Sequence, residues 1–249
     1  MSRSTLIPRL ETVAFDSLIV RLFDRIDEAH MPWVLAAVDS IREALGELAL
    51  EVVPSYTTVL VQIDITQLSL PEARTRLTQA LLGLEPRDAE AGTLHEIPVW
   101  YDVSVGPELP LVAERLGTDI NEVIQRHTAR DYSVFALGFA PGYGFMGLIE
   151  EAMATPRLKT PRQKVAAGSV GIADRQTAIY PAPSPGGWNL LGRTAAKLFD
   201  RQREGYTLFR PGDRVRFVAI DREAFIAQGG DTTPQPGVDS DRPAGEGRS

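Results

Sequence analysis

Hydrophobic and polar positions in the first third of the chain alternate with two different periods. Three segments rich in β-branched residues predict strands: 17–23, 48–54 and 57–64. Between the first two, apolar residues recur at helical spacing and predict a helix with one buried face: Val34, Val38, Ile41 and Leu45. Ser69 and Glu72 have the spacing of a capping box, which predicts a second helix. A strand at 94–100 completes a βαββαβ order typical of a ferredoxin-like α/β sandwich, unless that strand belongs to the next domain.

The pattern changes after a polar, turn-rich segment at 84–92, where we expect a domain boundary. Beyond residue 131, short apolar segments are separated by Gly, Pro, Ser and Asp, which is typical of a small β-barrel. The last 21 residues contain five Gly, three Pro and no aromatic residue, so we expect disorder there. The predicted α+β organisation is an N-terminal α+β domain at 1–92, a β-barrel domain at 93–228 and a disordered tail at 229–249.

Charge is distributed unevenly along the 249 residues. The net charge is −7, yet residues 155–217 contain twelve Lys and Arg against four Asp and Glu. A basic region in an acidic chain favours small anions or an acidic protein surface, whereas nucleic acid binding usually needs a basic domain with stacking aromatics. We therefore expect no nucleic acid partner.

Cysteine is absent, which excludes disulfides, thiolate catalysis and thiolate metal sites, and fits a reducing compartment. The three histidines are far apart in sequence, so we expect no bound metal. The N-terminus lacks the apolar core of a signal peptide. The uncharged run at 132–149 is interrupted by Pro and Gly, so we expect no membrane span and a cytoplasmic location.

Three glycine-rich turns follow one another in the predicted barrel, at 138–143, 167–171 and 184–188. Glycine allows the backbone to approach a ligand closely and to point N–H groups at an anion. Ser169 and Ser184 add hydroxyl donors. The alternative is that these glycines only form barrel corners.

Five side chains are candidates for chemistry: His127, Arg157, Arg162, Arg193 and Lys164. A histidine side chain ordinarily has a pKa near neutrality and suits proton transfer, although a histidine at a helix end, such as His127, also interacts with terminal carbonyls. A guanidinium suits carboxylate or phosphate recognition, although a lone arginine is more often a surface charge. Trp188 is more often a packing residue than a substrate platform.

Several blocks carry a family resemblance: GFAPGY at 138–143, ATPRLKTPR at 154–162, AGSVGIA at 167–173, SPGGWNLLGRT at 184–194 and PGDRVRF at 211–217. In this order they resemble the family of 5-oxoprolinase B-type subunits, also called allophanate hydrolase subunit 1, which includes Kip-type kinase inhibitors and carboxyltransferase subdomains C and D. The resemblance implies an N-terminal α+β domain followed by a cyclophilin-like β-barrel.

The resemblance also implies a function. Such chains are inactive alone and work with A-type and C-type partner proteins, the latter similar to allophanate hydrolase subunit 2. The complex hydrolyses 5-oxo-L-proline to L-glutamate with ATP, which this chain need not bind. His127, Arg162 and Arg193 are the expected catalytic residues. The expected substrate-binding residues are Phe139, Pro141, Gly142, Tyr143, Gly168, Ser169, Gln176, Ser184, Gly186, Gly187 and Trp188.

Two other functions stay open at this point. The chain can be a regulatory inhibitor of a sensor histidine kinase, or half of a carboxyltransferase that acts on urea- or allophanate-type amides. The second would need biotin on another chain, since no biotinylation sequence is present here. Around Gly142 and Tyr143 the chain departs from the family's usual P-G-F-P-Y-L, so the resemblance fixes the substrate only as a lactam or ureido compound.

Overall fold

The computed structural model describes residues 6–88 and 92–237, which form two compact units that interleave along the chain. The first unit contains the chain up to residue 96, together with 131–148 and 198–216. The second contains 97–130, 149–197 and the chain from 217 onward. Because each unit is assembled from separated segments, the single boundary predicted between residues 92 and 93 stays a prediction.

An antiparallel sheet and two helices make up the N-terminal part of the first unit. They are β1 (Arg9–Ala14), β2 (Ser17–Arg21), α1 (Met31–Leu45), β3 (Ala49–Ser55), β4 (Thr58–Ile63) and α2 (Leu70–Ala80). The strand order in the sheet is β1-β2-β4-β3. Apolar residues of β2, β4 and α1 share one core, in which Leu18, Val59 and Ile41 are fully buried. Burying each such side chain contributes about 1.5–3 kcal/mol, so packing rather than helix propensity holds this layer together.

Both predicted helices are confirmed at their ends. Pro32 lies in the first turn of α1, and Gly46 ends it with a positive φ of 53° that favours glycine. At α2 the Ser69 hydroxyl accepts from the Glu72 N–H while the Glu72 carboxylate accepts from the Ser69 N–H, which is the predicted capping box.

The ferredoxin-like arrangement is not confirmed. The last strand of the predicted βαββαβ unit, β5 (Leu94–Trp100), belongs to the barrel. The edge of the N-terminal sheet is formed instead by β1, which pairs with β2 from Arg9 opposite Arg21. The β1 sequence, RLETVA, is mostly exposed and lacks the apolar alternation that marks a strand, so its pattern does not predict it.

The predicted β-barrel is confirmed as a closed barrel of seven strands that fits a cyclophilin-like fold. Besides β5 its strands are β6 (Asp131–Leu137), β7 (Gly144–Gly147), β9 (Ser169–Ala173), β10 (Gln176–Ile179), β12 (Asn189–Arg193) and β13 (Arg214–Ile220). Their order is β10-β7-β6-β13-β5-β12-β9. Two short strands, β8 (Arg162–Val165) and β11 (Ser184–Gly186), pair separately. Since a closed barrel has no exposed strand edges, its backbone groups are paired within the molecule.

The described part of the second unit also contains three short helices, α3 (Leu109–Leu116), α4 (Ile120–Thr128) and α5 (Arg222–Ala227). None of the helices in the described segments is long and apolar enough to cross a membrane. After α5 the chain continues as a segment without regular secondary structure, residues 231–237, which we call the strap. The composition predicts disorder from residue 229, but the strap is held by hydrogen bonds to buried side chains. Residues 238–249 lie outside the described part.

Candidate functional site

Two predicted catalytic arginines and the strap line one cavity of about 580 Å³ in the second unit. Arg162 begins β8 and Arg193 ends β12, so each is held by a strand rather than by a loop. The predicted binding residues on or next to β9, Gly168 and Ser169, lie beside Arg193, because Ser169 pairs with Arg193 across β9 and β12. Of the predicted site residues, Arg162 and Arg193 line the cavity, and Gly168 and Ser169 lie next to Arg193.

Arg162 is buried and every nitrogen of its guanidinium has a partner. Nη2 forms an ion pair with the Glu108 carboxylate, Nη1 donates to the Trp188 carbonyl at 3.2 Å and Nε donates to the Pro236 carbonyl at 3.2 Å. Glu108 also accepts from the Leu190 N–H at 2.9 Å. Burial raises the pKa of Glu108, while the Leu190 N–H and Arg162 oppose that shift. Arg162 thus forms a closed network that orders the cavity wall.

Arg193 is also buried, at 1% exposure, but its guanidinium makes hydrogen bonds through a single nitrogen within the described residues. Nη1 donates to the backbone carbonyls of Asp231 and Thr233, both at 2.7 Å. Nε and Nη2 have no hydrogen-bond partner within the described residues. Burial lowers the pKa of Arg193, and the nearby Asp231 charge opposes the shift. A buried charge whose contacts are neutral carbonyls has capacity left for an anion.

The Nε and Nη2 atoms lie along one edge of the guanidinium. This edge can donate two parallel hydrogen bonds to one carboxylate. Two surface pairs of this chain show that geometry. Arg21 donates from Nε and Nη2 to Glu11 at 2.8 and 3.2 Å, and Arg216 does so to Asp131 at 2.7 and 3.1 Å. The free edge of Arg193 is the same edge.

Ser169 is the cross-strand neighbour of Arg193 and is fully buried. Its hydroxyl oxygen has no hydrogen-bond partner among the residues that the structure describes. A buried unpaired polar atom costs about 1–3 kcal/mol, so two such groups at paired positions need a reason other than stability. Both can donate to an anion, which makes them the candidate binding pair.

Two of the predicted glycines are required by packing. A side chain at Gly168, whose φ is 77°, would overlap the carbonyl oxygen of Thr194, and one at Gly186 would overlap the hydroxyl of Tyr180. These contacts agree with the barrel-corner alternative. Gly168 also lets the backbone turn at the edge of the cavity, so the two interpretations are compatible at that position.

The remaining predicted residues of the second unit have mixed environments. Trp188 is buried, and the Arg157 guanidinium lies 5.9 Å from its ring centre, which supports the packing interpretation. Gly187 has room for a side chain, and Ser184 has a buried hydroxyl without a partner in the described segments. Gln176 is half-buried at the start of β10.

His127 is completely buried at the end of α4, away from water. Nδ1 lies 2.7 Å from the Tyr101 hydroxyl, Nε2 lies 3.0 Å from the Thr177 hydroxyl, and the ring stacks on Phe217. Desolvation lowers the pKa of His127 to about 3, so the ring is neutral at physiological pH. The ring is thus held by two hydroxyl groups and a stacked phenylalanine, and these contacts differ from the predicted interaction with helix-end carbonyls.

Four predicted binding residues, Phe139, Pro141, Gly142 and Tyr143, belong to the other compact unit. Phe139 is exposed with a φ of 69°, and its ring contacts the buried Tyr143 edge-on at 5.2 Å. Gly142, with a φ of 84°, packs against the Leu198 carbonyl and Phe199. These residues form an aromatic turn in the first unit and are not among the lining residues of the cavity that contains Arg162 and Arg193.

A second cavity of about 580 Å³ lies in the first unit, next to Asp213. The Asp213 carboxylate accepts from the Thr93 N–H, the Arg210 N–H and the His95 Nε2, at 2.8–3.0 Å. Because all these bonds tie one strand start to its neighbours, the carboxylate is structural. Within the described residues no group of three or more His, Asp and Glu side chains can hold a metal ion.

Three important features leave no signal in the sequence. Glu108 lies 54 residues from Arg162, the Tyr101 and Thr177 partners of His127 are also remote, and the strap has the composition of a disordered tail. Contacts between residues so far apart in the chain cannot be predicted from local sequence pattern or motif spacing.

Comparison with known proteins decides the family. Residues 8–209 match the carboxyltransferase domain, subdomain C and D. The chain belongs to this family. It is 35% identical over 229 residues to the B-type subunit of 5-oxoprolinase from Bacillus subtilis (strain 168), covering 88% of this chain and 95% of that protein. It is 39% identical to the corresponding 5-oxoprolinase protein of Escherichia coli O157:H7 over 207 residues, 83% of this chain and 87% of that protein.

The family fold has also been solved. The crystal structure of TTHA0988 is 40% identical, has a TM-score of 0.72 and covers 82% of this chain, which itself spans 40% of that longer chain. The family match includes Arg162 and Arg193 but ends before the strap.

Proposed function

We propose that this chain is the B-type subunit of a 5-oxoprolinase complex that hydrolyses 5-oxo-L-proline to L-glutamate with ATP. The observation that carries the proposal is the similarity to the Bacillus subtilis 5-oxoprolinase protein, which extends over 88% of this chain and 95% of that protein. A match of this extent includes both compact units rather than one shared domain.

Arg193 is the group that we assign to substrate. At neutral pH 5-oxoproline has one charge, on its carboxylate, and a buried guanidinium with two nitrogens that lack partners in the described residues suits that charge. Ser169, opposite Arg193, adds a hydroxyl. Arg162 and Glu108 hold the wall in place. His127, with both ring nitrogens engaged and a neutral ring, supports the barrel instead of moving protons.

Partner proteins complete the proposed enzyme. Opening a stable lactam requires activation by ATP, and this sequence contains no G-x-x-x-x-G-K-[ST] phosphate-binding loop. We assign nucleotide chemistry to an A-type partner and the remainder of the active site to a C-type partner. The relatives are themselves named as subunits of 5-oxoprolinase, which supports a hetero-oligomer.

The experiment is ATP-dependent glutamate release from 5-oxo-L-proline. The chain is assayed alone, with A-type and C-type partners, and in mixtures that omit one component. We expect release only from the complete mixture. A matched pair of variants, Arg193→Met and the exposed Arg115→Met on α3, should separate loss of the site from loss of a surface charge. Release that is independent of this chain would refute the proposal.

A second candidate is one half of a carboxyltransferase, because the matched family is named for that domain. That activity needs a carboxylated biotin carried by another chain. Transfer to a urea-type amide, measured with a biotin carrier protein in place of ATP-dependent hydrolysis, distinguishes the two candidates.

A further inference from the structure

The side chain of Gln235 makes an unusual contact with the backbone of the cavity wall. Its Oε1 accepts from the Ala166 N–H at 2.9 Å, and its Nε2 donates to the Lys164 carbonyl at 3.1 Å. Gln235 is 7% exposed although it lies in a segment of otherwise small or turn-forming residues. The wall therefore presents one donor and one acceptor that together recognise an amide.

The backbone of the strap also contacts Arg193 in the same cavity. Two of its carbonyl oxygens, from Asp231 and Thr233, accept from Arg193 Nη1. Thr233 and Gln235 are two positions apart, at most about 7 Å of chain, and Asp231 lies two positions further towards the N-terminus. The strap thus offers the wall an amide, from Gln235, and a pair of oxygen atoms that meet at one nitrogen of Arg193.

A small molecule with a lactam and a carboxylate has the same two features. A lactam ring fixes its N–H and C=O on one side, as the carboxamide of Gln235 presents them to Lys164 and Ala166. A carboxylate provides two oxygens for a guanidinium. It also provides the charge that the strap carbonyls lack, and from their position at Nη1 it can reach the adjacent Nη2 of Arg193, which has no partner in the described residues.

We propose that the strap is an internal substitute for the substrate: it occupies the binding site for a lactam carboxylate, with Gln235 in place of the lactam and the Asp231 and Thr233 carbonyls in place of the carboxylate. This inference rests on the proposed function for the choice of 5-oxo-L-proline as the ligand. Binding then requires the strap to release Arg193 and the β8 backbone.

The strap is held mainly by polar contacts, which allow it to be released. Among its seven described residues Gln235 is the one buried side chain, and its hold on the wall consists mainly of hydrogen bonds to Arg193, Arg162 and the backbone. Before the strap, the Gly230 N–H bonds back to the Phe225 carbonyl and fixes the end of α5. Motion can therefore be confined to the strap while α5 stays in place, because few apolar contacts resist it.

Calorimetry on the full chain tests the inference, with 5-oxo-L-proline as the probe. Gln235→Ala weakens the strap and should tighten binding about tenfold, whereas the exposed Gln228→Ala at the end of α5 should not. Arg193→Lys, which keeps the charge but loses the two-nitrogen edge, should weaken binding at least about tenfold in the Gln235→Ala background. The lactam 2-pyrrolidinone and the carboxylate L-proline, each with half of the recognition features, should bind more weakly by a similar factor.

Hydrogen exchange gives a readout independent of affinity. Addition of 5-oxo-L-proline should accelerate amide exchange in 231–237 and keep the Ala166 amide protected, because the ligand replaces Gln235 as its acceptor. Unchanged strap exchange upon binding, equal affinity of Gln235→Ala and the unaltered chain, or no binding by either would overturn the inference.

The failure of the inference can be separated from the failure of the proposed function. If the complete complex hydrolyses 5-oxoproline but the Gln235→Ala chain does not bind it, the strap hypothesis is wrong and the proposed function stands. If the chain binds 5-oxoproline with strap release but no partner mixture yields glutamate, the binding site stands and the assignment to an oxoprolinase is wrong.

Discussion

The two buried arginines of the cavity have opposite environments. Arg162 has a carboxylate and two carbonyls for its three nitrogens, whereas Arg193 has two carbonyls on one nitrogen and nothing on the others within the described residues. Both lie on strands and both are less than one tenth exposed. Both guanidinium groups are thus buried, but Arg162 hydrogen-bonds a carboxylate and Arg193 hydrogen-bonds neutral carbonyls. Burial alone therefore does not distinguish a structural cation from one that binds a ligand.

Because of this difference, we expect substitutions of the two arginines to change the free energy of unfolding by different amounts. Breaking a buried ion pair is destabilising, because the partner stays behind uncompensated. A buried cation that hydrogen-bonds only neutral carbonyls is already unfavourable, so its removal costs little. We therefore interpret Arg162 as part of the fold and Arg193 as a group kept for a ligand.

The largest expected effect comes from breaking the satisfied pair. Glu108→Leu leaves the Arg162 guanidinium buried without its carboxylate and should lower the free energy of unfolding by about 3–5 kcal/mol. Urea unfolding measures it, with the exposed Glu114→Leu on α3 as the control. The double variant Glu108→Leu with Arg162→Met should recover most of the loss. An unchanged single variant would mean that the pair is not structural.

A smaller effect concerns pH and the third buried basic group. The pKa of His127 falls from 6.5 to about 3 on folding, so the folded state binds fewer protons between these values and stability is lost as pH falls through that window. By pH 5 the loss from this one group is about 2 kcal/mol. His127→Gln should flatten the unfolding free energy between pH 7 and pH 5, whereas His30→Gln should not. Equal slopes in both variants would show that His127 is not the buried neutral group described above.

A third effect is smaller again and concerns the strap. Gln235→Ala removes two hydrogen bonds, but water replaces them once the strap is released, so stability should fall by only about 1 kcal/mol. Thermal unfolding of the variant and of Gln228→Ala provides the comparison. A loss as large as that of Glu108→Leu would make the strap part of the fold instead of a displaceable segment.

The smallest stability effect is expected at Ser169. Because its hydroxyl has no partner among the described residues, Ser169→Ala should change the free energy of unfolding by less than about 0.5 kcal/mol or raise it. In the complete complex the same variant should reduce glutamate release, since we assign the hydroxyl to substrate. A clear destabilisation without loss of activity would reverse this assignment.

The sequence and the structure agree where a single segment determines its own conformation. Pro32 and Gly46 limit α1, and the Ser69 capping box starts α2, because these effects act within a few residues. The edge strand β1 is not predictable in this way, because its pairing with β2 provides the backbone bonds that its own pattern does not indicate.

Prediction of the site depended on contacts between distant segments. The motifs drew attention to Arg162 and Arg193, but which of them is compensated depends on Glu108 and on the strap, both remote in sequence. A composition rule for disorder counts apolar residues, and the strap is ordered instead by polar contacts to buried charges. The sequence therefore singled out both arginines but could not predict their different hydrogen-bond environments.

The most direct test of these two roles is equilibrium urea unfolding of Arg162→Met and Arg193→Met side by side, without ligand. Methionine keeps much of the side-chain volume and removes the charge in both. We predict that Arg162→Met loses about 3–5 kcal/mol, because Glu108 is left unpaired, and that Arg193→Met changes by no more than about 1 kcal/mol. Equal losses in the two variants would contradict this distinction, since Arg193 would then be as structural as Arg162.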